Sequence, residues 1–279
     1  MVKIHGRLVK LNEENKFQEK MNSYSFLENI NFKNKKVLEI GSGWGALSTK
    51  IALSGAKKVF GIDINKELID FSNNVISKKY PYLSKNLRFV CCKIKDLKEY
   101  NFDYIVSENT FEHIYNLDKF LDQAKKRLKI NGKLYSIFAP LYYSPFGDHR
   151  RFYRAMERYN NIKIPQIVFP WMHLIIPDKI LNKIVEYFYR LKNNREIKFN
   201  VHEGINKLKL YQYKSIFHNS GFYVKSFKTN HSYFEYQIKN RMKNLRLAKI
   251  LIKIFRIMQN IAFLKEYFTV SIMVKLIKK

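Results

Sequence analysis

The sequence predicts an α/β fold, in which a mostly parallel β-sheet carries helices on both faces. Two observations lead to this prediction. Short apolar segments alternate with segments of helical periodicity between residues 36 and 138, and the first apolar segment runs directly into a glycine-rich turn. With 279 residues, of which 46% are hydrophobic, the chain is also long enough to bury a substantial core.

The elements of the first half are predicted from their apolar patterns and from the residues that end them. We expect a leading helix or helices over residues 8–30, strands at 36–40, 58–62, 87–92, 102–107 and 133–138, and helices over 44–54, 65–79 and 117–129. Gly55 ends the helix after the glycine turn, Asn65 suits the N-cap position of the next helix, and Pro81 lies beyond its end. Asn131 and Gly132 predict a turn before the fifth strand.

The pattern becomes irregular after Pro140. Residues 141–204 contain aromatic, proline and histidine clusters with one helical stretch at 178–191, and we interpret them as an insertion over the sheet. Regular structure returns with a helix at 207–220, a strand at 222–227, a helix at 241–262 and a final strand at 267–277. The chain therefore divides into residues 1–140, the insertion 141–204 and residues 205–279.

A glycine-rich loop follows the first strand of the sheet. Gly41, Gly43 and Gly45 let a ligand approach the backbone closely, and the helix after them directs N–H groups toward that ligand. Gly41, Gly43 and Ala46 also satisfy a loose dinucleotide fingerprint. The glycines alone therefore leave a dinucleotide cofactor open.

Two acidic residues narrow the choice of cofactor. Glu39 lies in the strand before the loop, where a carboxylate suits a cationic amino acid group better than a pyrophosphate. Asp63, at the end of the second strand, can accept hydrogen bonds from both hydroxyls of a ribose. The alternative role for Asp63 is a helix N-cap, and a nicotinamide cofactor would use the same aspartate.

Four segments then occur in a specific order. They are Val37-Leu38-Glu39-Ile40-Gly41-Ser42-Gly43-Trp44-Gly45, Gly61-Ile62-Asp63-Ile64, Phe102-Asp103-Tyr104-Ile105-Val106 followed by Glu108 and Phe111-Glu112-His113-Ile114, and Arg127-Leu128-Lys129-Ile130-Asn131-Gly132-Lys133-Leu134. In this order they resemble the motifs of class I S-adenosylmethionine-dependent methyltransferases, and the third segment resembles the small-molecule or glycan-type branch. The resemblance covers about residues 36–140 and returns at 206–222 and in the last strand.

The resemblance implies a Rossmann-like sheet of seven strands, mostly parallel, with an antiparallel last strand, and it implies S-adenosyl-L-methionine as the cofactor. The residues implied to line the cofactor site are Glu39, Gly41, Ser42, Gly43, Trp44, Gly45, Asp63, Ile64, Lys93, Ile94 and Glu108. The loop glycines would approach the methionine part, Asp63 would hold the ribose, and Ile64 would pack on the adenine. Lys93 stands where many relatives have an acidic residue, so backbone groups of Lys93 and Ile94 are expected to contact the adenine.

Methyl transfer to a hydroxyl also requires removal of a proton. His149, in the segment after the fifth strand, is the first candidate for the base, and His113 is the second. The alternatives are a structural role for His149 in an aromatic loop and a place lining the cofactor pocket for His113. Arg150 and Arg151 either hold an anionic acceptor or are solvated loop arginines.

Several patterns are missing from the sequence. No metal-ligand spacing is recognised, and no metal is expected. The Asn/Asp-Pro-Pro-aromatic motif of base-amine methylases does not follow the fourth strand, and neither Cys91 nor Cys92 follows a proline. These absences count against methylation of nucleic-acid bases. His173 and His202 are expected to have core or cap roles.

The sequence therefore predicts an S-adenosylmethionine-dependent methyltransferase that acts at oxygen on a small-molecule or glycan acceptor. The insertion 141–204 would form the acceptor pocket or a lid. The formal net charge of +29 leaves two alternatives, namely RNA methylation and a non-catalytic adaptor that binds nucleic acid or membrane. AT-rich coding would produce the same excess of lysine without any functional demand.

The helix predicted near the C-terminus has a wide apolar face. Its polar positions recur every three or four residues and are Arg246, Lys249, Lys253, Arg256, Gln259 and Asn260. We expect the helix to pack on the sheet with its lysine heads in water, and contact with an anionic membrane or homodimerisation are the alternatives. The polar N-terminus, the adjacent cysteines and the lack of a long charge-free segment predict a cytoplasmic protein, at most peripheral to the membrane.

Overall fold

The computed structural model describes residues 2–4, 7–9, 27, 30–160, 170–201, 204–230, 235, 238 and 245–279. Within these ranges, a short antiparallel hairpin precedes a seven-stranded sheet. The hairpin is β1 (Val2–Ile4) and β2 (Arg7–Val9), and the sheet contains β3 (Lys36–Ile40), β4 (Lys58–Asp63), β5 (Leu87–Cys91), β6 (Phe102–Glu108), β7 (Leu128–Phe138), β8 (Phe222–Asn230) and β9 (Ser271–Lys278).

The strand order of the sheet is β5-β4-β3-β6-β7-β9-β8. Strand β9 runs antiparallel to both of its neighbours, β7 and β8, and the other pairs are parallel. This arrangement confirms the predicted mostly parallel sheet with an antiparallel last strand. It places the carboxyl ends of β3, β4, β5, β6 and β7 along one edge, where ligands of open α/β sheets bind.

Helices pack on both faces of the sheet, as predicted. In chain order the described helices are α1 (Ala46–Leu53), α2 (Lys66–Lys79), α3 (Leu117–Arg127), α4 (Arg151–Asn160), α5 (Met172–Ile175), α6 (Asp178–Asn193), α7 (Leu210–Asn219), α8 (Leu245–Asn260) and α9 (Lys265–Phe268). One core cluster joins the sheet to α1 and α2, and another joins it to α3 and α7.

The two faces of β3 show how the sequence pattern sets this arrangement. Val37 belongs to the core cluster with α1 and α2, whereas Leu38 and Ile40 belong to the cluster with α3 and α7. Successive side chains of a strand point to opposite faces. Glu39 therefore lies on the α1 face, directly before the glycine loop.

The start of α2 follows the sequence prediction. Oδ1 of Asn65 accepts a hydrogen bond from the Leu68 N–H at 3.1 Å, which confirms Asn65 as the N-cap. Lys78 and Lys79 lie in the last turn, where positive charge is favourable beside the helix C-terminus.

The predicted turn at Asn131 and Gly132 lies between two paired parts of β7. Strand β7 begins at Leu128, immediately after α3, so the predicted helix end at residue 129 was too late. Asn131 has a φ of 61°, and the pairing of β6 with β7 shifts register between Phe102 and Tyr104. Phe102 pairs with Leu128 and Tyr104 with Lys133, so the four residues 129–132 of β7 lie opposite the single residue Asp103 of β6. This excursion from the ladder agrees with the predicted turn.

The leading helix predicted over residues 8–30 is wrong where the structure describes that range. Leu8 pairs with Lys3, and Val9 pairs with Val2, in the hairpin of β1 and β2. Strands of three residues give too little periodicity to separate a strand from a helix by sequence. Residues 10–26, 28 and 29 lie outside the described residues.

The last elements also differ in their bounds. The final strand was predicted from residue 267, but α9 extends to Phe268 and β9 begins at Ser271. Strand β8 continues to Asn230, beyond the predicted end at 227, because it pairs with β9 over that length. The predicted helix at 241–262 is described as α8 from Leu245 to Asn260, and residues 241–244 lie outside the described residues.

Part of the segment after β7 packs around a small core of its own. Phe152 and Met156 of α4 meet Leu181 and Val185 of α6 in this cluster. The division of the chain at residues 140 and 204 remains a prediction. Among the described helices, none combines the length and the apolar character needed to cross a bilayer.

Candidate cofactor and acceptor site

The glycine loop after β3 is tied to the neighbouring strand β4. The N–H groups of Gly41 and Ser42 both donate to the Ile62 carbonyl, at 2.8 and 2.9 Å. The Gly43 N–H donates to Oδ2 of Asp63 at 2.9 Å. These bonds hold the loop at the carboxyl edge of the parallel strands.

The three loop glycines are needed for different reasons. All have positive φ, at 69° for Gly41, 50° for Gly43 and 79° for Gly45. A Cβ at Gly41 would overlap the Thr110 side chain, and one at Gly45 would lie 2.5 Å from Cζ of Phe89. At Gly43 a Cβ would have no heavy atom within 4 Å. Gly41 and Gly45 are therefore required by packing, whereas Gly43 borders open space that a ligand can enter.

The polar side chains around the loop have different contacts. Oγ of Ser42 is buried and has no hydrogen-bond partner, so it keeps the capacity to bond a ligand. Glu39 is 3% exposed, and its Oε2 accepts hydrogen bonds from N and Oγ of Ser48, at 2.8 and 2.5 Å. Glu39 thus anchors the first turn of α1, where the helix dipole favours an anion. Its predicted place beside the cofactor remains a prediction.

Asp63 connects the loop with the start of α2. Its Oδ1 accepts a hydrogen bond from the Asn65 N–H at 2.9 Å, while Oδ2 accepts the bond from Gly43. Each carboxylate oxygen has a second lone pair, so Asp63 can still accept bonds from ribose hydroxyls. The alternative N-cap role is filled by Asn65. Ile64 is 74% exposed, which leaves a large apolar side chain for an adenine ring to cover.

The other predicted cofactor residues lie along the same edge. Lys93 is exposed after β5, and the Ile94 side chain is buried in the core, so the backbone of Ile94 is the part that can meet a ligand. Trp44 packs edge-on against Phe71, with ring centroids 4.8 Å apart, which indicates a packing role. Glu108 is the last residue of β6, which pairs with the strand leading into the loop.

A second polar group adjoins the loop on a 3₁₀ turn, Phe111–His113. The turn brings the His113 ring to the His149 ring, with centroids 4.9 Å apart. Oε1 of Glu112 lies 4.0 Å from Nε2 of His113. Thr110, the residue before the turn, fits against Gly41, so the turn lies next to the glycine loop. We call Glu112, His113 and His149 the acceptor-side triad. The structure thus joins the two predicted bases and adds Glu112.

Glu112 was not among the site residues predicted from the sequence. The residue occurred within the family-like segment Phe111-Glu112-His113-Ile114, but nothing there indicated that His149 would join it. His149 follows β7, a different strand, and the parallel sheet brings the two segments to one edge. Strand order was therefore the signal that could have found the group.

A buried hydrogen-bond network from the C-terminal half holds the turn. Asn206 donates its N–H to the Glu112 carbonyl at 2.8 Å, and its Nδ2 donates to the carbonyls of Phe111 and Ile114, at 2.8 and 3.1 Å. Oη of Tyr213 donates to Oδ1 of Asn206 at 2.5 Å. This network fixes the backbone that carries Glu112 and its neighbour in the triad.

Burial governs protonation in the triad. Glu112 is 1% exposed, and neither carboxylate oxygen has a partner in hydrogen-bonding geometry. Desolvation raises the pKa of Glu112 to about 8, and nearby backbone N–H groups offset only part of the rise. Desolvation lowers the pKa of His149 to about 3, and the positive charges of His113, Arg151 and Arg154 add to this effect. A general base works best with a pKa near the working pH, so this environment favours roles for His149 other than proton removal.

The remaining predicted residues have other surroundings. Arg150 places its Cζ 5.1 Å from the centroid of the Phe146 ring. His173 is buried with Nε2 2.7 Å from the Tyr142 carbonyl, which agrees with the expected core role. His202 lies outside the described residues.

Comparisons with known proteins agree with this arrangement. Residues 31–143 match the family model described as a methyltransferase domain. A histidine protein methyltransferase 1 homolog of Dictyostelium discoideum is 29% identical over 152 residues, which are 52% of this chain and 48% of the relative. The histone-arginine methyltransferase CARMER of Anopheles gambiae is 33% identical over 134 residues, which are 46% of this chain and 20% of the relative. The chain thus spans less than half the length of both relatives.

The fold resembles solved structures over most of the chain. Geranyl diphosphate C-methyltransferase from Streptomyces coelicolor A3(2), solved in complex with Mg²⁺, geranyl diphosphate and S-adenosyl-L-homocysteine, has a TM-score of 0.53. It is 10% identical in sequence, and the match covers 96% of this chain and 79% of that chain. At this identity the likeness concerns the fold. The match over residues 31–143 indicates a methyltransferase domain, and the strand order and the glycine loop agree with the class I S-adenosylmethionine-dependent fold.

Proposed function

We propose that the chain transfers the methyl group of S-adenosylmethionine to an oxygen atom of a small-molecule or glycan acceptor. The observation that carries the proposal is the contact between the two halves of the site. Gly43 opens the glycine loop to a ligand, while Gly41 of the same loop fits against Thr110, next to the acceptor-side triad. A methyl donor on the loop would therefore lie beside polar groups that can meet an acceptor.

The residues around the loop fit the methyl donor. Ser42 offers a buried hydroxyl that has no partner, Asp63 offers free lone pairs for the ribose, and Ile64 offers an exposed apolar surface for the adenine. When bound, the cofactor supplies a methyl group on a positively charged sulfur, which is already an excellent leaving group. The chain then has to orient the acceptor and exclude water.

Methyl transfer to a hydroxyl oxygen releases one proton on the acceptor side. The acceptor oxygen forms a bond to the methyl carbon as the carbon–sulfur bond breaks, the electron pair stays on sulfur, and the hydroxyl proton leaves. The polar groups of the triad are the two imidazole rings and the Glu112 carboxylate, which have atoms within 4.8 Å of one another. The sequence predicted the two histidines as bases, and these roles remain predictions.

Transfer of label from methyl-labelled S-adenosylmethionine tests the proposal. Separate reactions should contain mixed phenols and sugars, RNA, and histone or histidine-containing peptides. The proposal expects label in the phenol or sugar reaction, and a product that survives mild base as an ether. Label only in RNA would favour the alternative suggested by the +29 charge. Label only in peptides would overturn the acceptor assignment in favour of the substrates named for the two relatives.

We also propose that α8 lies against an anionic membrane surface. Ile250, Ile254 and Ile257 of this helix are 56%, 44% and 59% exposed and form one stripe along it. Ala248 and Ile252 are buried on the opposite side, in a cluster with Phe146 and Val270. The helix is therefore apolar on an outer face as well as on the inner one.

Basic side chains border the exposed stripe. Lys249 and Lys253 are exposed beside it, and the chain as a whole carries +29 formal charges. An interfacial helix combines such an apolar face with lysines that meet acidic headgroups. The charge complementarity favours a lipid surface over a second copy of this strongly cationic chain.

Vesicle co-sedimentation tests this contact. The chain should sediment with phosphatidylcholine vesicles that contain phosphatidylserine, and less with pure phosphatidylcholine. Ile254→Glu should abolish sedimentation, whereas Ile130→Glu, at an exposed isoleucine of β7, should not. Equal sedimentation of the two variants would contradict the proposal. A concentration-dependent dimer that Ile254→Glu dissociates, without vesicle binding, would assign the stripe to self-association.

A further inference from the structure

Glu112, His113 and His149 bring one oxygen and two nitrogen atoms close together. Each candidate donor atom lies within 4.8 Å of the other two. Both carboxylate oxygens of Glu112 and Nε2 of His149 are buried and have no hydrogen-bond partner. A buried polar atom left unsatisfied costs roughly 1–3 kcal/mol. The fold therefore maintains an arrangement that is unfavourable without a further group.

We propose that this triad binds one divalent transition-metal ion of the Zn²⁺, Mn²⁺ or Co²⁺ type. Two imidazoles and one carboxylate form a donor set that suits these ions, whereas Mg²⁺ and Ca²⁺ prefer oxygen donors throughout. A single ion would satisfy all the unpartnered atoms of Glu112 and His149 at once. The sequence offered no metal-ligand spacing because two of the ligands come from one turn and the third from the segment after β7.

The distances suit such an ion after a small adjustment. Metal–ligand bonds of roughly 2.0–2.2 Å allow two donors to be at most about 4.4 Å apart. Oε1 of Glu112 and Nε2 of His113 are already within that limit, at 4.0 Å. The other donor distances in the triad are at most 4.8 Å, so they exceed this limit by no more than about 0.4 Å.

Neighbouring groups orient the ligands. Nδ1 of His113 lies 2.6 Å from the Gly204 carbonyl, so this nitrogen carries the proton and Nε2 keeps its lone pair. Asn206 binds the backbone carbonyl of Glu112 and so holds the carboxylate in place. Backbone support of this kind is usual around metal-binding histidines.

The charges around the triad are mixed. The Glu108 carboxylate lies close to Glu112 and favours a cation there. Arg151 and Arg154 of α4 lie close to His149 and oppose one. Because these surrounding charges oppose one another, the ion would be held mainly by its three direct ligands.

Three protein ligands leave coordination positions open for an acceptor. An acceptor hydroxyl that occupied one of them would lose its proton to water more readily, because a bound cation stabilises the oxyanion. The two histidines would then act as ligands, and the proton would need no protein base. This use of the ion rests on the proposed methyl transfer to oxygen, whereas metal binding by itself does not.

Metal binding can be measured without S-adenosylmethionine. The untagged chain is stripped with a chelator and titrated with Co²⁺, whose visible absorption reports coordination, and then with Zn²⁺ in competition. We expect one ion per chain. Glu112→Gln, which keeps the side-chain volume, and His113→Asn should each weaken binding by more than the ~10–100-fold that loss of a supporting hydrogen bond costs.

The control is His218→Asn, at an exposed histidine of α7, which should bind Co²⁺ like the wild type. His113 is 38% exposed at its side chain, so its variant should fold even if the Glu112 variant does not. Absence of Co²⁺ binding, or equal binding by wild type and His113→Asn, would overturn the proposal. Calorimetry with S-adenosylmethionine on the same samples separates the two proposals, because metal binding without cofactor binding would refute only the methyl transfer.

Discussion

The backbone N–H of Gly43 donates a 2.9 Å hydrogen bond to Oδ2 of Asp63, which joins the glycine loop to the end of β4. The same carboxylate accepts the Asn65 N–H through Oδ1. One side chain thus fixes both the loop and the start of α2. A ligand that bonds Asp63 would be placed directly against the open side of Gly43.

Replacement of Asp63 by asparagine should weaken S-adenosylmethionine binding more than it weakens the fold. The variant keeps one oxygen acceptor but loses the charge, and hydrogen bonds to charged groups contribute roughly 1.5–3 kcal/mol. We expect the dissociation constant to rise about 10–100-fold, measured by calorimetry. Asp70→Asn, in the exposed pair with Lys66, is the matched control and should bind normally. Equal affinities for the two variants would remove Asp63 from the cofactor site.

Alanine at two loop glycines should lower the free energy of unfolding by different amounts. Gly45→Ala should lower the free energy of unfolding by about 2–4 kcal/mol, because its Cβ would meet Phe89 at 2.5 Å and its φ is 79°. Gly43→Ala should cost only the roughly 1–2 kcal/mol of a left-handed residue, since its Cβ meets nothing within 4 Å. Urea unfolding compares the two, and the reverse order of stabilities would show that the loop has a different shape.

Removal of the Tyr213 hydroxyl should destabilise the turn that carries the triad. Tyr213→Phe leaves Oδ1 of Asn206 buried without its donor, which costs roughly 1–3 kcal/mol. The loss should appear in urea unfolding and in faster amide exchange of the 111–114 backbone. Tyr211→Phe, at an exposed tyrosine of the same helix, should change neither. Unaltered amide exchange in Tyr213→Phe would show that this hydrogen-bond network does not stabilise the turn.

Asp103 should make stability depend on pH in the acidic range. Burial alone would raise its pKa, but hydrogen bonds from the Lys129 side chain and the Lys36 N–H, together with nearby positive charge, hold the pKa below its usual range. A depressed pKa in the folded state stabilises the fold above the unfolded pKa of about 4, and this contribution is lost as pH falls through the folded value.

The stability difference between wild type and Asp103→Asn should therefore be constant near neutral pH and should shrink below about pH 4. Denaturant unfolding at a series of pH values measures this difference. A difference that grows on acidification would contradict the assigned sign of the shift.

Much of the fold could be predicted because its signals are local. The apolar runs of β3, β4 and β6 and the cap at Asn65 each depend on a few neighbouring residues. The hairpin of β1 and β2 could not be predicted because its strands have three residues each. The turn at Asn131 could be predicted from local residues, but the pairing of Leu128 with Phe102 before it depends on β6, which is remote in the sequence.

The candidate site likewise contains residues that local motifs indicate and residues that only the tertiary structure brings together. The loop glycines and Asp63 lie within two consecutive strand–helix units, so a sequence motif can indicate them. Glu112 joins His149 only when β6 and β7 are placed side by side, and the turn is held by Asn206, from a third segment. Local sequence patterns carry no information on contacts between such distant segments. The exposed stripe on α8 was ambiguous because the burial of a helix face depends on the elements that pack against it.

Calorimetric titration with S-adenosylmethionine, on wild type and Gly43→Trp, tests the cofactor assignment most directly. We predict saturable binding at one site of the wild type. We also predict loss of binding in Gly43→Trp, because the indole would fill the open side of the loop, with a fall in melting temperature of only the few degrees that a left-handed residue costs. Binding of NAD in place of S-adenosylmethionine, or full affinity in a folded Gly43→Trp variant, would contradict the assignment.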